Sequence, residues 1–295
     1  MERYIAERFP RRLSTGLAYR AWLNNHILPY WGGKPITELQ PRPVELWLRQ
    51  LELSPKSKVH VKTLLRILVD FAMWSGVMDV SRNPLELVVI RGATKRIRQP
   101  RSLTAEEFGR LVDRLDEPLR TMACVAACFG LRASELLGLK WKDVDWLNGK
   151  LRIERAIVRQ TVDDVKTASS ARSMAIAPDV LQMLMSWKQQ TRFAGDEDWI
   201  FASPLKLGRL PWSYPWLWRE LHGAAIKAGI GPIGAHTLRH TYRSWLDAVG
   251  TAIAVQQKLM RHTDIRTTLN LYGDVVTDEM AEAQGKVARL ALHRA

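Results

Sequence analysis

Eleven residues about a third of the way along the chain, RGATKRIRQPR at 91–101, limit the fold more than any other stretch. They carry five basic residues, no acid, a glycine and a proline. Glycine and proline are both poor helix formers, and clustered like charges repel. The run therefore reads as a basic linker between a domain over residues 1–90 and another over 102–295.

The charge is unevenly divided. The 295 residues hold 44 Lys+Arg against 30 Asp+Glu, a net charge of +14. Residues 1–100 hold 17 basic and 8 acidic groups, and residues 101–295 hold 27 and 22. An excess of this size points to a polyanion, either nucleic acid or an anionic membrane. The longest nearly apolar run, Thr121 to Leu131, falls far short of the ~20 residues that span a bilayer. The first residues, MERYIAERFPRR, are charged from the second position, unlike a signal peptide. Nucleic acid is thus the expected partner. With only Cys124 and Cys128, a disulfide framework is excluded and a cytoplasmic setting is expected. Both cysteines are expected to be small core residues.

The first domain reads as helices. Ser54-Pro55 is a helix start, and Val61, Leu64, Leu65, Leu68 and Ala72 follow at helical spacing. Lys58, Lys62 and Arg66 form a second, basic face of that helix. It is either a solvated surface or a face laid along DNA phosphates. Further helices are expected over Thr15 to Leu28 and Pro43 to Leu51. In the linker, Arg91, Lys95, Arg96 and Arg98 are candidates for contacts to a duplex backbone, with Arg82 and Arg101 nearby.

The second domain opens on a capping box, Thr104 with Glu107. Helices are expected through Met122–Phe129, ending at Gly130, and from near Ala133. Asn148-Gly149 signals a turn. LRIERAIV, a segment near Val162–Val165 and RSMAIA then read as three short strands, before helices resume at Pro178. The fold class expected is mainly α with a small antiparallel β-sheet.

The segment AHTLRHTYRSWL places His236, Arg239, His240 and Arg243 on one helix face. They would repel one another unless an anion sits among them or some histidines are neutral and buried. Arg132 lies upstream in GLRASELLGL and Lys166 in VKTASSAR. His262 and Tyr272 lie downstream in MRHTDIRTTLNLYGDV. In chain order this is Arg, Lys, His-x-x-Arg, His, Tyr. The set resembles the tyrosine recombinase, or phage integrase, family over about residues 100–285. NHILPYWGGKPITEL more weakly resembles its core-binding domain.

The resemblance implies a helical, SAM-like core-binding domain followed by a recombinase catalytic domain with a C-terminal tail helix. It also implies a chemistry these residues suit. Arg132 and Arg239 would clamp the non-bridging oxygens of a phosphodiester as charge develops on them. A tyrosine hydroxyl, with a reference pKa of ~10, needs activation. His236 would serve as base or orienting group, and His262 would donate to a phosphate oxygen. Lys166 would protonate the departing 5′-oxygen. Tyr272 would attack to form a 3′-phosphotyrosyl link, resealed by a 5′-hydroxyl from a partner duplex. Neither ATP nor a metal is required. Relatives work as tetramers on paired inverted-repeat sites, through a Holliday junction, sometimes with accessory proteins.

Glu135 is expected to orient Arg132 or a histidine, and His240 to support the site from behind. Tyr242 is expected to pack, and Arg243 to lie at the surface or on the DNA backbone. Asp143/Asp145 and Asp196-Glu197-Asp198 are expected in solvated loops rather than around a metal. Two departures from the family pattern stand out. Arg261 occupies a position where glycine is usual, and the arm-binding domain that many phage-type integrases carry is not expected within these residues, which belong either to a short recombinase or to one whose front end is missing. The reading is an integrase of a prokaryotic mobile element. The alternatives are Xer-like dimer resolution, a type IB topoisomerase and a catalytically silent DNA-binding protein.

Overall fold

The computed structural model describes residues 1–93, 101–164 and 172–261. The chain divides into two compact units, Met1–Gln99 and Pro100–Ala295.

The first unit is helical: α1 (Glu2–Glu7), α2 (Leu13–Trp22), a π turn over Leu23–Ile27, α3 (Leu28–Trp31), α4 (Pro41–Gln50) and α5 (Pro55–Trp74). The helix expected over Thr15 to Leu28 is therefore interrupted. A π turn is wider than an α turn, so residues four apart stay nearly in line, and Leu23, Ile27 and Trp31 all reach the core. Helix α4 starts two residues earlier than its spacing suggested, because prolines at the first turn forfeit no intrahelical bond. Ser54 caps α5 by accepting from the Ser57 amide at 3.1 Å. Val61, Leu64, Leu65 and Ala72 of α5 are buried as its periodicity requires.

The basic face of α5 is partly engaged within its own unit. The Lys58 ammonium donates to the Arg49 carbonyl at 3.0 Å, answering one of the orphan acceptors at the end of α4. The Lys62 ammonium donates to the Val88 carbonyl at 2.6 Å. Burial, then the Arg66 charge, holds Lys62 below its ordinary pKa. Arg66 and Arg91 are exposed. Lys95, Arg96 and Arg98 lie outside the described residues.

Among the described residues, the second unit holds α6 (Ala105–Val112), α7 (Leu119–Phe129), α8 (Ala133–Leu137), five short strands, α9 (Pro178–Gln190), α10 (Tyr214–Lys227), α11 (Ala235–Ala248) and α12 (Ile253–Leu259). The capping box forms as expected: Thr104 accepts from the Glu107 amide and Glu107 accepts from the Thr104 amide, both at 3.1 Å. The strands are β1 (Val144–Asp145), β2 (Lys150–Ile153), β3 (Arg155–Val158), β4 (Thr161–Asp164) and β5 (Arg172–Ala175). LRIERAIV is thus two strands, not one. Leu151 and Ile153 alternate inward, but Ala156 and Ile157 are buried consecutively, so the phase breaks at Glu154. Two antiparallel sheets result, β1-β2-β5 and β3-β4. Gly149 turns the chain between β1 and β2 at φ +57°.

Helix α7 runs through the core of this unit, with Met122, Ala123, Val125, Ala126 and Phe129 buried. The cysteines are a correction: Cys124 is half-buried and Cys128 exposed, because the core claims the opposite side of α7. A second correction concerns Asp143, which is buried rather than solvated. It accepts from Arg155 Nη1 at 2.5 Å and from the Lys140 amide at 2.8 Å. The other acidic groups hold loops. Asp145 accepts from Asn148, Asp198 from the Gly195 amide, and Glu197 pairs with Lys140 and Lys142.

Candidate functional site

The site is built where the end of α7, the start of α8 and helix α11 meet. Gly130 ends α7 at φ +55°, a left-handed conformation that L side chains disfavour. The bend delivers Arg132 to the head of α8. Glu135 sits one turn on and reaches back, accepting from the Arg132 amide at 3.0 Å and from Arg132 Nη1 at 2.5 Å. The carboxylate is 4% exposed and the guanidinium 28%, so Glu135 supports Arg132 from the buried side.

Helix α11 supplies the opposing wall. Arg239 is buried, and its Nη1 and Nη2 donate short hydrogen bonds to the Gly130 and Met260 carbonyls. His236 keeps an exposed edge one turn before it, with its ring 5.1 Å from that of His240 in an edge-on arrangement. Tyr242 is buried with its ring over Gly130, so close that a Cβ there would lie 2.2 Å from Tyr242 Cδ1. Burial also raises the Tyr242 phenol, which suits packing and not nucleophilic attack. Arg243 is a correction. It is buried, and its Nη2 lies 3.1 Å from Asp247 Oδ2, an i,i+4 pair that turns it along the helix rather than out to solvent. The far side of α11 is pinned at one residue: the Leu103 amide donates to Thr241 Oγ1 at 2.9 Å and the Trp245 indole donates to the Leu103 carbonyl at 3.2 Å.

Arg261 is the residue whose place the sequence did not foretell. Its backbone is left-handed at φ +55°, the conformation glycine adopts freely. Its side chain nonetheless is fully buried, and its Nη2 donates to Glu135 Oε2 at 3.0 Å. The departure from a family glycine was visible in the sequence. The inward course of the side chain was not.

Three guanidiniums, Arg132, Arg239 and Arg261, therefore surround one carboxylate, Glu135, among the described residues. Burial alone would raise Glu135. Arg261 and Arg132, with the Arg132 amide, outweigh it and hold the carboxyl below the usual range. Burial, then Arg132 and Arg261, pulls Arg239 down to about 9, still charged at neutral pH. Surrounding protein, then Arg239 and Arg132, holds His236 below the ordinary imidazole value, so it is neutral at pH 7 and free to accept a proton. The arrangement is an excess of fixed positive charge beside a neutral base, which suits an anion with a proton to lose nearby. Lys166, His262 and Tyr272 lie outside the described residues.

Residues 101–279 match the phage integrase family. The putative prophage phiRv2 integrase of Mycobacterium tuberculosis is 25% identical over 258 residues, 84% of this chain and 67% of that protein. A XerC-like tyrosine recombinase of Caldanaerobacter subterraneus is 24% identical over 310 residues, covering 94% and 78%. Among solved structures, the Tn1549 transposon integrase in complex with transposon right end DNA superposes with a TM-score of 0.81 at 22% identity over 98% of each chain. A lambda integrase dimer bound to a COC′ core site gives 0.71 at 19% identity, over 94% of this chain and 96% of that one. The likeness to these structures is one of fold.

Proposed function

The chain belongs to the phage integrase family of tyrosine recombinases, and from that membership we propose a site-specific integrase that cuts and rejoins duplex DNA at inverted-repeat core sites. The observation that carries the reading is the convergence of Arg132 and Arg239 beside a neutral His236, with Glu135 fixing Arg132 from behind.

The scissile phosphate sits against Arg132 and Arg239. Their charge offsets the negative charge that accumulates on its oxygens in the transition state. His236 takes or orients the proton of the Tyr272 hydroxyl as its oxygen attacks phosphorus. The 3′-phosphotyrosyl bond forms as the bond to the 5′-oxygen breaks, and Lys166 supplies that oxygen with a proton. His262 donates to a phosphate oxygen. A 5′-hydroxyl from the partner duplex then reverses the step and joins the new strand. The covalent link conserves the bond, so no external energy source enters. Four copies of the chain on two sites would exchange one strand pair at a time through a Holliday junction. Accessory proteins would act on that assembly, at the nucleoid. The unit Met1–Gln99 serves as the core-binding domain, and residues 91–101 follow the duplex backbone.

The test is covalent capture. The chain is incubated with a library of nicked duplexes randomised around the nick, and protein–DNA adducts are recovered after boiling in detergent. Wild type is expected to yield an adduct at a 3′ phosphate, and Tyr272→Phe none. An adduct that persists in Tyr272→Phe would remove the nucleophile assignment. Absence of any wild-type adduct would favour the silent DNA-binding reading.

The basic face of α5 supplies a second expectation. Lys62→Met should lower unfolding free energy by about 1–2 kcal/mol, since the Val88 carbonyl loses a charged donor. It should leave the salt dependence of duplex binding nearly unchanged. Arg66→Ala should do the reverse, reducing the slope of log affinity against log salt by about 1. Urea melts and salt titrations on each variant measure both.

A further inference from the structure

We propose that Arg261 is a positioning residue for the recombinase centre, an internal guanidinium that sets Arg132 through Glu135 and Arg239 through the Gly130 carbonyl. The inference rests on the function proposed above.

Four observations carry it. First, the Arg261 guanidinium is fully buried, which is costly for a charge unless the site is built around it. Second, its bonds go to the elements that hold the site. Nη1 donates to the Phe129 carbonyl at 3.2 Å, the Leu259 carbonyl at 3.0 Å and Met174 Sδ at 2.9 Å. Nη2 donates to the Gly130 carbonyl at 3.1 Å and Glu135 Oε2 at 3.0 Å.

Third, its two Nη2 partners are each shared. Glu135 divides its oxygens between Arg132 and Arg261, and the Gly130 carbonyl accepts from both Arg239 and Arg261. Arg261 thus touches the immediate support of each cation assigned to the phosphate. It also contacts Met174 on β5, the strand that follows the segment bearing Lys166, and it directly precedes His262. Fourth, the backbone at Arg261 is in the left-handed region, which side chains with a Cβ disfavour. A side chain retained there against both strain and burial is held by what it contacts. Arg261 never meets the phosphate. Its part is to fix where two other cations stand.

The experiment uses the full chain and the nicked duplex recovered by covalent capture. Arg261→Met keeps most of the volume and removes the charge. Arg261→Lys keeps the charge and loses the fork. Arg261→Gly relieves the backbone and serves if the methionine variant fails to fold. For Arg261→Met we expect non-covalent duplex affinity within about 3-fold of wild type and adduct formation slowed about 100-fold, the scale of a misplaced catalytic group.

Two readouts separate positioning from general support. With Arg261 gone, Glu135 loses its leading charge partner, so its carboxyl rises. A group held low in the folded state acts as carboxylate above its pKa and fails as pH falls through it. The Glu135 titration itself, followed by side-chain NMR so that the His236 limb of the rate profile does not mask it, therefore moves to higher pH in Arg261→Met and returns toward wild type in Arg261→Lys. In a Glu135→Gln background, Arg261→Met should cost clearly less than in wild type, the remainder passing through the Gly130 carbonyl. An unchanged rate would overturn the proposal. So would a parallel loss of affinity, rate and thermal stability with the Glu135 titration unmoved, or fully additive effects in the double variant. If wild type itself forms no adduct, the functional reading fails first, which keeps the two failures distinct.

Discussion

Arg239→Lys should abolish strand cleavage to within detection, a loss of about 1,000-fold or more, while the protein still binds duplex DNA. The charge is unchanged, so the effect isolates geometry. A guanidinium has five N–H donors in one plane. Arg239 uses one from each Nη to grip the Gly130 and Met260 carbonyls. Among the described residues its other N–H groups are not engaged, and in the proposed mechanism they would be the ones to face the phosphate. A lysine ammonium has three donors at one point and cannot span two carbonyls while facing a third group. Single-turnover adduct formation on the captured nicked duplex measures the loss, and a gel-shift titration on the intact duplex controls for binding. A rate within about tenfold of wild type would show that the anchored fork is unnecessary.

Gly130→Ala should destabilise the second unit by about 2–5 kcal/mol, from two sources that add at one atom. The left-handed backbone at φ +55° penalises any Cβ, and the Cβ would enter the Tyr242 ring. Gly149→Ala is the matched comparison. Its φ is +57°, but the new Cβ would meet only the Ile176 carbonyl oxygen at 3.6 Å, an ordinary contact. That variant should lose only the backbone part, about 1–2 kcal/mol. Urea unfolding of the pair followed by tryptophan fluorescence gives both values. Equal losses would mean that Tyr242 moves aside at little cost.

Local signals carried most of the fold. Ser54-Pro55, Thr104 with Glu107, and Phe129-Gly130 each act within a few residues, and each ends or begins a helix where the sequence placed it. The π turn and the break at Glu154 were hidden because both depend on what packs behind them. In the site, Arg132, His236 and Arg239 were legible as members of an ordered set, and Glu135, expected beside Arg132 or a histidine, pairs with Arg132. Arg243 misled because spacing shows which face a residue occupies and not whether that face is covered. Its i,i+4 partner Asp247 was in plain view. The Val88 partner of Lys62 was hidden because a lysine looks the same in sequence whether it faces solvent or a carbonyl twenty-six residues away. Arg261 is the extreme case: a departure from pattern was visible, but a positive φ and a buried fork are properties of the assembled chain.

Two buried guanidiniums and a third, partly exposed one around a single carboxylate mean that folding installs a net positive charge before any polyanion arrives. Glu135 offsets only part of this charge, so Arg239 is protonated under a penalty that persists at every pH below about 9. A phosphate in the site removes that penalty. Folding and ligation are therefore linked: by mass action, any anion that seats between these cations stabilises the native state. The free protein is the tense partner in that equilibrium, and part of its affinity for DNA is the release of a repulsion that its own core created.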